Sequence, residues 1–525
     1  MNNLLPWIAA IAGGILAFLG YAGFDQFYLE WICLVPVLWA IRDKSPLRAF
    51  FIGWLAGVVA HSGGFYWIIY MLQKFAGMAW PLGALGLLLI AAANGVVFAA
   101  WAGATRYVTS RTGWSVVWVS PVIWTALEKS WPEVFPNYLG ASQYKLTLLT
   151  QIADITGVLG ISFLVVYINS MIFRLVEERL EKRPFSPRPA IIFAAVIALV
   201  IGYGAVRVQM VDQSAAAAEK LKVGLVQTNL DADARYDGTD RFLREHQEMS
   251  REIKKAGGAD LIMWPENIAF LDQSILKADL SPLVGDVHIP TLFGAITRID
   301  RATSRRFYCS AVLVDGSGAV LGTYDKMVLV PLGEYIPLGD VFPILYSWSP
   351  HSSRLWPGEN VEPLQLGKHF ISVSICYEDI FPGQINKLMD GGRGRRVPEA
   401  MFNITDDSWY GNTVEPTEHL ALATFRSIEH RRALVRTTNT GISAIVDPAG
   451  RISQSIGQWT KGILIGDVPL MQGRTLYAAV GDWFGYPCII LAIAGIGRAY
   501  QLTRKRTEIE KAPPGKAKKR KSNPK

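Results

Sequence analysis

The chain has 525 residues, half of them apolar and only 18% charged, and its mean hydropathy of +0.23 argues against an ordinary soluble protein, because much of that apolar content has to face lipid. The formal net charge of +8 invites a nucleic-acid reading, yet ten basic residues and only two acidic ones, Glu508 and Glu510, lie between Arg504 and Lys525. Without that tail the chain is nearly neutral, which argues against a nucleic-acid partner. The tail, with Pro513, Pro514 and Gly515, reads as a solvated disordered end that also meets anionic lipid headgroups beside a membrane helix.

Eight apolar segments follow in chain order: Leu4–Phe24, Phe27–Ile41, Ala49–Leu72, Ala79–Ala104, Trp114–Leu127, Leu148–Phe173, Ala190–Val206 and, after a long polar interval, Val480–Tyr500. Most are long enough to cross a bilayer at about 1.5 Å per residue. The second and fifth are short, and Glu30 inside the second makes a re-entrant or buried helix an alternative there. Arg42, Lys44 and Arg48 follow the second segment, Arg106 and Arg111 the fourth, and Arg174, Arg179, Lys182, Arg183 and Arg188 the sixth. The loops after the first and third hold only Lys74. The positive-inside rule then places both termini in the cytoplasm and the polar interval on the opposite side, which is the periplasm in a Gram-negative cell. Met1–Leu5 lacks basic residues, so no cleavable signal peptide is expected.

The polar interval, about Lys220 to Arg474, is long enough for one domain. Strands are expected at Val223–Gln227, Ala259–Trp264, Ile289–Ile296, Ala311–Val314, Ala319–Thr323, Phe370–Ile375, Ala400–Ile404 and Ala444–Val446. Helices are expected at Arg241–Lys255 and Glu418–His430. Asp315–Gly318 and Asp447–Gly450 have turn composition. Strands alternating with helices, with hairpins between, imply a mixed sheet covered by helical layers. Glu266, Lys326 and Cys376 each sit where a strand ends, a common place for functional side chains.

Those three types suit acyl transfer. The thiolate is the nucleophilic form of cysteine, Glu266 could take its proton, and Lys326 could stabilise both the thiolate and an oxyanion. Residue type alone leaves blander readings open: a cysteine closing a buried strand is usually inert, and the Glu and Lys could be a cap and a solvated side chain. The four cysteines, Cys33, Cys309, Cys376 and Cys488, form neither a disulfide framework nor a CxxC pattern. Cys33 and Cys488 read as small core residues. Cys309 lies on the same side of the membrane as Cys376, and pairing the two would disable the nucleophile. No two of the seven histidines stand at i, i+3 or i+4, so no metal is expected.

The strings MWPEN, YDKMVLVPLGEYIPL, SICYEDIFP and NITDDSWYG resemble the nitrilase superfamily of Glu-Lys-Cys enzymes. Together with FPNYLGASQ (Phe135–Gln143), GVLGISFLVVYINS (Gly157–Ser170) and the run His419–Gly450, they make nearly the whole chain similar to the apolipoprotein N-acyltransferase family. The resemblance implies an α/β nitrilase-like αββα sandwich inserted between the seventh and eighth helices of an α-helical membrane bundle. The implied domains are a membrane domain over 1–210, the catalytic domain over 220–474, a last membrane helix over 475–500 and the basic tail over 501–525. It implies Glu266 as general base, Lys326 as the lysine, Cys376 as nucleophile, Glu334 as a second glutamate supporting the lysine, and Tyr377 and Glu378 as further required residues. Trp409 corresponds to an aromatic near the acyl entrance. Tyr236 stands where the family usually has Trp, Asn137 where Trp is common, and Glu418 where Gln is usual; of these, the change at Tyr236 puts in doubt only how lipid or peptide is held.

The implied reaction moves a fatty acyl chain from a phospholipid, typically phosphatidylethanolamine, through a Cys376 thioester. The acceptor is the α-amine of the diacylglyceryl-cysteine that begins an apolipoprotein. No cofactor is implied, and the implied location is the bacterial inner membrane. Three rivals remain: a membrane-tethered carbon–nitrogen hydrolase with water as acceptor, a transporter or receptor, and a thiol protease pairing Cys376 with His419 or His430. Eight segments exceed what a tether needs, and few charges, chiefly Glu30 and Asp154, lie within them.

Overall fold

A computed structural model describes residues 4–182, 187–230, 239–272, 279–301, 304–348, 353–392 and 396–511. Tyr236 lies outside them, as does the tail beyond residue 511. Helices Trp80–Thr112, Val158–Leu180 and Ala190–Ala217 are long and apolar enough to cross a membrane, and the bent pair Pro46–Gly64 and Ile68–Lys74 adds a fourth span if taken as one.

The segment expected at Phe27–Ile41 is a 3-10 turn, Phe27–Trp31, followed by a helix of only seven residues, Val35–Ile41. The buried Glu30 explains the break. Its carboxylate accepts the Cys33 thiol at 3.0 Å, its carbonyl accepts Asn169 Nδ2 at 2.7 Å, and Asn169 Oδ1 accepts the Leu34 N–H at 2.8 Å. A polar side chain of the neighbouring helix thus satisfies the backbone that a straight helix would have bonded internally. The segment expected at Leu148–Phe173 is also interrupted. Two single turns precede Gly157, whose φ of +66° starts the helix Val158–Leu180, and a Cβ there would stand 2.5 Å from Tyr477 Cε2.

Among the described residues, thirteen strands build one seven-stranded and one six-stranded sheet. They are β1 (Lys220–Gln227), β2 (Leu261–Met263), β3 (Ala269–Asp272), β4 (Thr291–Arg301), β5 (Ser304–Val314), β6 (Val320–Asp325), β7 (Leu364–Leu366), β8 (His369–Ile375), β9 (Ala400–Thr405), β10 (Leu434–Thr438), β11 (Ser443–Val446), β12 (Ile452–Ile456) and β13 (Gly462–Pro469). One sheet has the order β13-β1-β2-β4-β5-β6, with β3 beside β4, and the other β12-β11-β10-β9-β8-β7. Strands β1, β2 and β4 run parallel, as do β8, β9 and β10, while the hairpins are antiparallel.

Strand alternation assigns the faces. Val223, Leu225, Leu261, Met263, Ala311 and Leu313 meet Ile371, Val373, Ile375, Ile404 and Val435 of the other sheet. The intervening Val226, Ile262, Phe293 and Val312 pack with Phe242, Met249 and Ile253 of the helix Thr239–Lys255. The result is the nitrilase-like sandwich with helices outside.

Buried polar contacts join this domain to the helices. Arg431 donates to Asp154 Oδ2 at 2.7 Å and to Gln151 Oε1 at 2.6 Å, and the Val158 N–H reaches Glu429 Oε1 at 3.1 Å. The helix Val158–Leu180 therefore has one end on this domain.

Candidate active site

Strand β2 runs into Trp264, whose ring is buried and whose Nε1 donates to Ser250 Oγ at 2.9 Å. Pro265 then turns the chain so that Glu266 enters the space between the sheets. Gly294 on the neighbouring strand permits this turn, since a Cβ there would lie 2.5 Å from Glu266 Cα. Lys326 follows β6, and its N–H donates to the Cys309 carbonyl at 2.8 Å. Its side chain is fully buried, with Nζ 3.2 Å from Glu266 Oε1 and 2.6 Å from Glu334 Oε1. The other oxygen of Glu334 accepts the Val330 N–H at 2.8 Å, which fixes the carboxylate.

Cys376 ends β8 with φ of +53°, a conformation that costs a residue with a Cβ about 1–3 kcal/mol and recurs at functional sites. The 3-10 turn Cys376–Ile380 follows at once, and Asn403 Nδ2 holds the Cys376 carbonyl at 2.9 Å. The strained turn lifts the side chain off the end of the strand toward Lys326 and Glu266, whose charges act on it directly.

Electrostatics define the resting state. Burial pushes the Cys376 thiol well up; Lys326 opposes that, while Glu266 and Glu334 add to it. Burial disfavours the Lys326 charge, but Cys376 and the two carboxylates outweigh it and hold the ammonium protonated. Burial likewise raises Glu334 against the pull of Lys326. One cation already faces two carboxylates, so a thiolate would be a third anion. The surroundings therefore favour the thiol form of Cys376.

The remaining expected residues divide. Glu378 is a fastener: its carboxylate accepts Tyr324 Oη, the N–H groups of Met327 and Val328 beside the lysine, and the Ile375 N–H before the nucleophile, all within 3.0 Å. Burial nevertheless raises it to about 7. Tyr377 donates its hydroxyl to the Leu329 carbonyl at 2.7 Å and places its ring 5.8 Å from Lys326 Nζ. Trp409 is half-buried on the turn Asp407–Tyr410, and its neighbour Tyr410 makes the buried ring contact with the bundle.

Several contributors escape sequence reasoning. The Cys309 thiol donates to Glu266 Oε1 at 3.2 Å, on the oxygen that Lys326 also holds. Trp67 and Phe135 stack edge-on at 5.1 Å, Trp67 meets Tyr410 at 5.3 Å, and Phe135 meets Tyr377 at 6.2 Å. An aromatic chain thus leads from the bundle to the residue after the nucleophile. Trp67 Nε1 also donates to Glu418 Oε2 at 3.1 Å; burial raises that carboxyl to about 8, so at neutral pH it stands protonated and uncharged, as a Gln would.

A second buried cluster lies behind Cys376. Arg436 spans Asp379 at 2.9 Å, both oxygens of Asp407 at 3.1 Å and Asn403 at 3.2 Å, and His419 Nε2 lies 2.8 Å from Asp379. Among the described residues, two groups of ligand-type atoms are close enough together for a metal, Glu266–Cys309–Glu334 and Asp407–Glu415–His419. In each, a buried cation of the chain, Lys326 or Arg436, already bonds carboxylates of the group.

Residues 13–171 match the family model described as the apolipoprotein N-acyltransferase N-terminal domain, and residues 222–477 match the carbon-nitrogen hydrolase model. An apolipoprotein N-acyltransferase of Azotobacter vinelandii is 30% identical, covering 98% of this chain and 97% of its own. One of Geobacter metallireducens is 29% identical over 92% and 93%. Among solved structures, an amidase from Nesterenkonia sp. matches 47% of this chain and 90% of its own, with 20% identity and a TM-score of 0.35. The full-length relatives and both domain matches agree with the geometry, and the chain belongs to the apolipoprotein N-acyltransferase family of enzymes.

Proposed function

We propose that Cys376 takes an acyl chain from a membrane phospholipid as a thioester and passes it to the α-amine of an apolipoprotein's diacylglyceryl-cysteine. The observation that carries this is the strained, buried Cys376 beside a lysine that bonds two carboxylates. In the first half-reaction Cys376 Sγ attacks the donor's ester carbonyl while Glu266 takes the thiol proton. Lys326 faces the oxyanion of the tetrahedral intermediate. The C–O bond then breaks, and Glu266 returns the proton to the departing lysophospholipid alkoxide. In the second, the amine attacks the thioester, Glu266 takes one amine proton, and collapse of the adduct releases an amide and the Cys376 thiol.

Glu334 keeps Lys326 aimed, Glu378 ties the lysine's loop to the nucleophile's strand, and Tyr377 continues the aromatic chain along which an acyl tail reaches the site. Trp409 lines the substrate side in this reading, and Tyr236 contributes to substrate binding as the resemblance implies. Phosphatidylethanolamine is the donor expected. Partition into the bilayer suits both substrates, because extracting a chain into water costs ~0.8 kcal/mol per CH₂.

The membrane arrangement belongs to the same proposal: about seven helices over 1–210, the catalytic domain over 220–474 on the periplasmic face of the inner membrane, a last helix over 475–500, and cytoplasmic termini with the basic tail 501–525. Its support is that Arg42, Arg106 and Arg174 gather around one cavity, at the far end of the helix Val158–Leu180, whose other end touches the catalytic domain.

The test incubates the purified chain in detergent with phosphatidylethanolamine and a diacylglyceryl-cysteine peptide, with Cys376→Ala as control. One acyl group gained on the peptide amine, absent with the variant, is the expected result. Free fatty acid with unmodified peptide would replace this reading with a membrane-tethered hydrolase.

A further inference from the structure

We propose that the end of the bundle remote from the catalytic domain holds a second phospholipid, whose headgroup joins a phosphate to a primary ammonium, in a cavity lined by Arg42, Arg106, Arg174, Glu177 and Glu178. The cavity measures about 520 Å³. It is no part of the acyl-transfer site. The helix Val158–Leu180 starts on Glu429 of the catalytic domain and brings Arg174, Glu177 and Glu178 to the cavity only in its last turns. That separation is some 25–30 Å at about 1.5 Å per residue.

The charges specify the headgroup. Arg106 donates Nε to the Lys44 carbonyl at 2.7 Å and pairs with no carboxylate among the described residues. Arg42 lies over the Trp39 ring and, among the described residues, pairs only with the exposed Asp43, at 3.2 Å. These two guanidinium groups come from different helices and retain free N–H donors, the arrangement that binds a phosphate. Arg174 is shared by Glu177 at 3.3 Å and Glu178 at 3.0 Å, so that trio carries one surplus negative charge. A headgroup with a phosphate and an ammonium meets both demands. A purely anionic headgroup would face two carboxylates, and a quaternary ammonium has no N–H to donate to them.

The rim decides between a lipid and a soluble phosphate. Trp114, Trp118 and Ile192 line the cavity and remain about half exposed, at 50%, 50% and 48%. Such side chains at the edge of a bundle offer an acyl chain a continuous apolar track, whereas a soluble phosphate ester would leave them unused. The inference needs the helices to lie in a bilayer and does not depend on the chemistry proposed for Cys376.

The experiment uses the full chain carrying Cys376→Ala, which cannot consume the probe, in phosphatidylcholine nanodiscs. Trace phosphatidylethanolamine with a photoactivatable acyl chain is added, and crosslinked peptides are mapped by mass spectrometry. Phosphatidylcholine and phosphatidylglycerol bearing the same chain run in parallel. The expected result is labelling of the first turn of Val116–Ser130 and the last turns of Val158–Leu180 by the ethanolamine probe, several-fold above the other two. That labelling falls several-fold in Arg42→Gln/Arg106→Gln and in Glu177→Gln/Glu178→Gln, while labelling near residue 376 persists and marks the variants as folded. Where a double variant loses both signals, Arg106→Gln alone replaces it. Equal labelling by all three lipids, or labelling indifferent to these substitutions, overturns the proposal. Stronger labelling by phosphatidylglycerol would replace the zwitterion with an anionic lipid. Loss of labelling near residue 376 alone, with the cavity still labelled, would count against the donor site instead.

Discussion

The catalytic domain buries two ionic clusters a few residues apart, and under the proposed chemistry only one of them moves a proton. Around Lys326, a single flexible ammonium meets two carboxylates, and a thiol that cannot ionise at rest completes the group. Around Arg436, a rigid guanidinium satisfies Asp379, Asp407 and Asn403 with several fixed bonds. Burial presses Asp407 toward protonation, yet Arg436 and His419 hold it at about 2. Asp407 and Arg436 therefore both keep their charges at neutral pH. In the proposed reading the first is the reaction site, with a surplus negative charge; the second is scaffolding that sets Asn403 against the Cys376 carbonyl. Burial and ion pairing are common to both, so neither alone identifies the reactive one. A lone cation shared by two acids beside a strained cysteine does.

The contrast breaks most sharply at Cys376. Replacing it with Ser should lower acyl transfer by at least ~10⁴-fold and leave thermal unfolding nearly unchanged, because a neutral thiol contributes no charge to the resting site; activity assays and melting curves on one preparation check both. Glu266→Gln keeps a partner for Lys326 but removes the base, and a loss of ~10²–10⁴-fold is expected in single-turnover acylation. In the second cluster the effect should appear as stability. Arg436→Met strands two buried aspartates and should cost about 3–5 kcal/mol, read as a lowered unfolding midpoint, with the surviving folded fraction still acylating Cys376. The smallest effect is at Cys309. Without its hydrogen bond to Glu266, Cys309→Ala should slow single-turnover acylation a few-fold, the equivalent of a bond of about 1 kcal/mol. Cys309→Ser, which restores a donor, should recover the rate.

The reactive cluster was largely legible and the scaffold was not. Glu266, Lys326 and Cys376 each close a strand with a clear apolar run, and their neighbours form recognisable strings. Asn403 and Arg436 sit inside strands β9 and β10, where a polar side chain in a buried strand signals a partner without naming it. In the sequence Cys309 is notable only for its expected place on the same side of the membrane as Cys376. Only the register that opposes it to Ile296, and places it on the inter-sheet face with Ala311 and Leu313, brings its thiol to Glu266. Strand β13 escaped because its pairing with β1 joins residues some 240 positions apart, beyond the reach of local periodicity. At Phe27–Ile41 hydropathy predicted a helix, and Glu30 and Asn169 broke it.

Intact-protein mass spectrometry of the chain after exposure to phospholipid, without acceptor, tests the central claim most directly. The account predicts one acyl group in hydroxylamine-labile linkage, mapped to Cys376 and discharged when a diacylglyceryl-cysteine peptide is added. An acylated peptide formed without any adduct on Cys376, or an adduct on another residue such as Cys309, would contradict it.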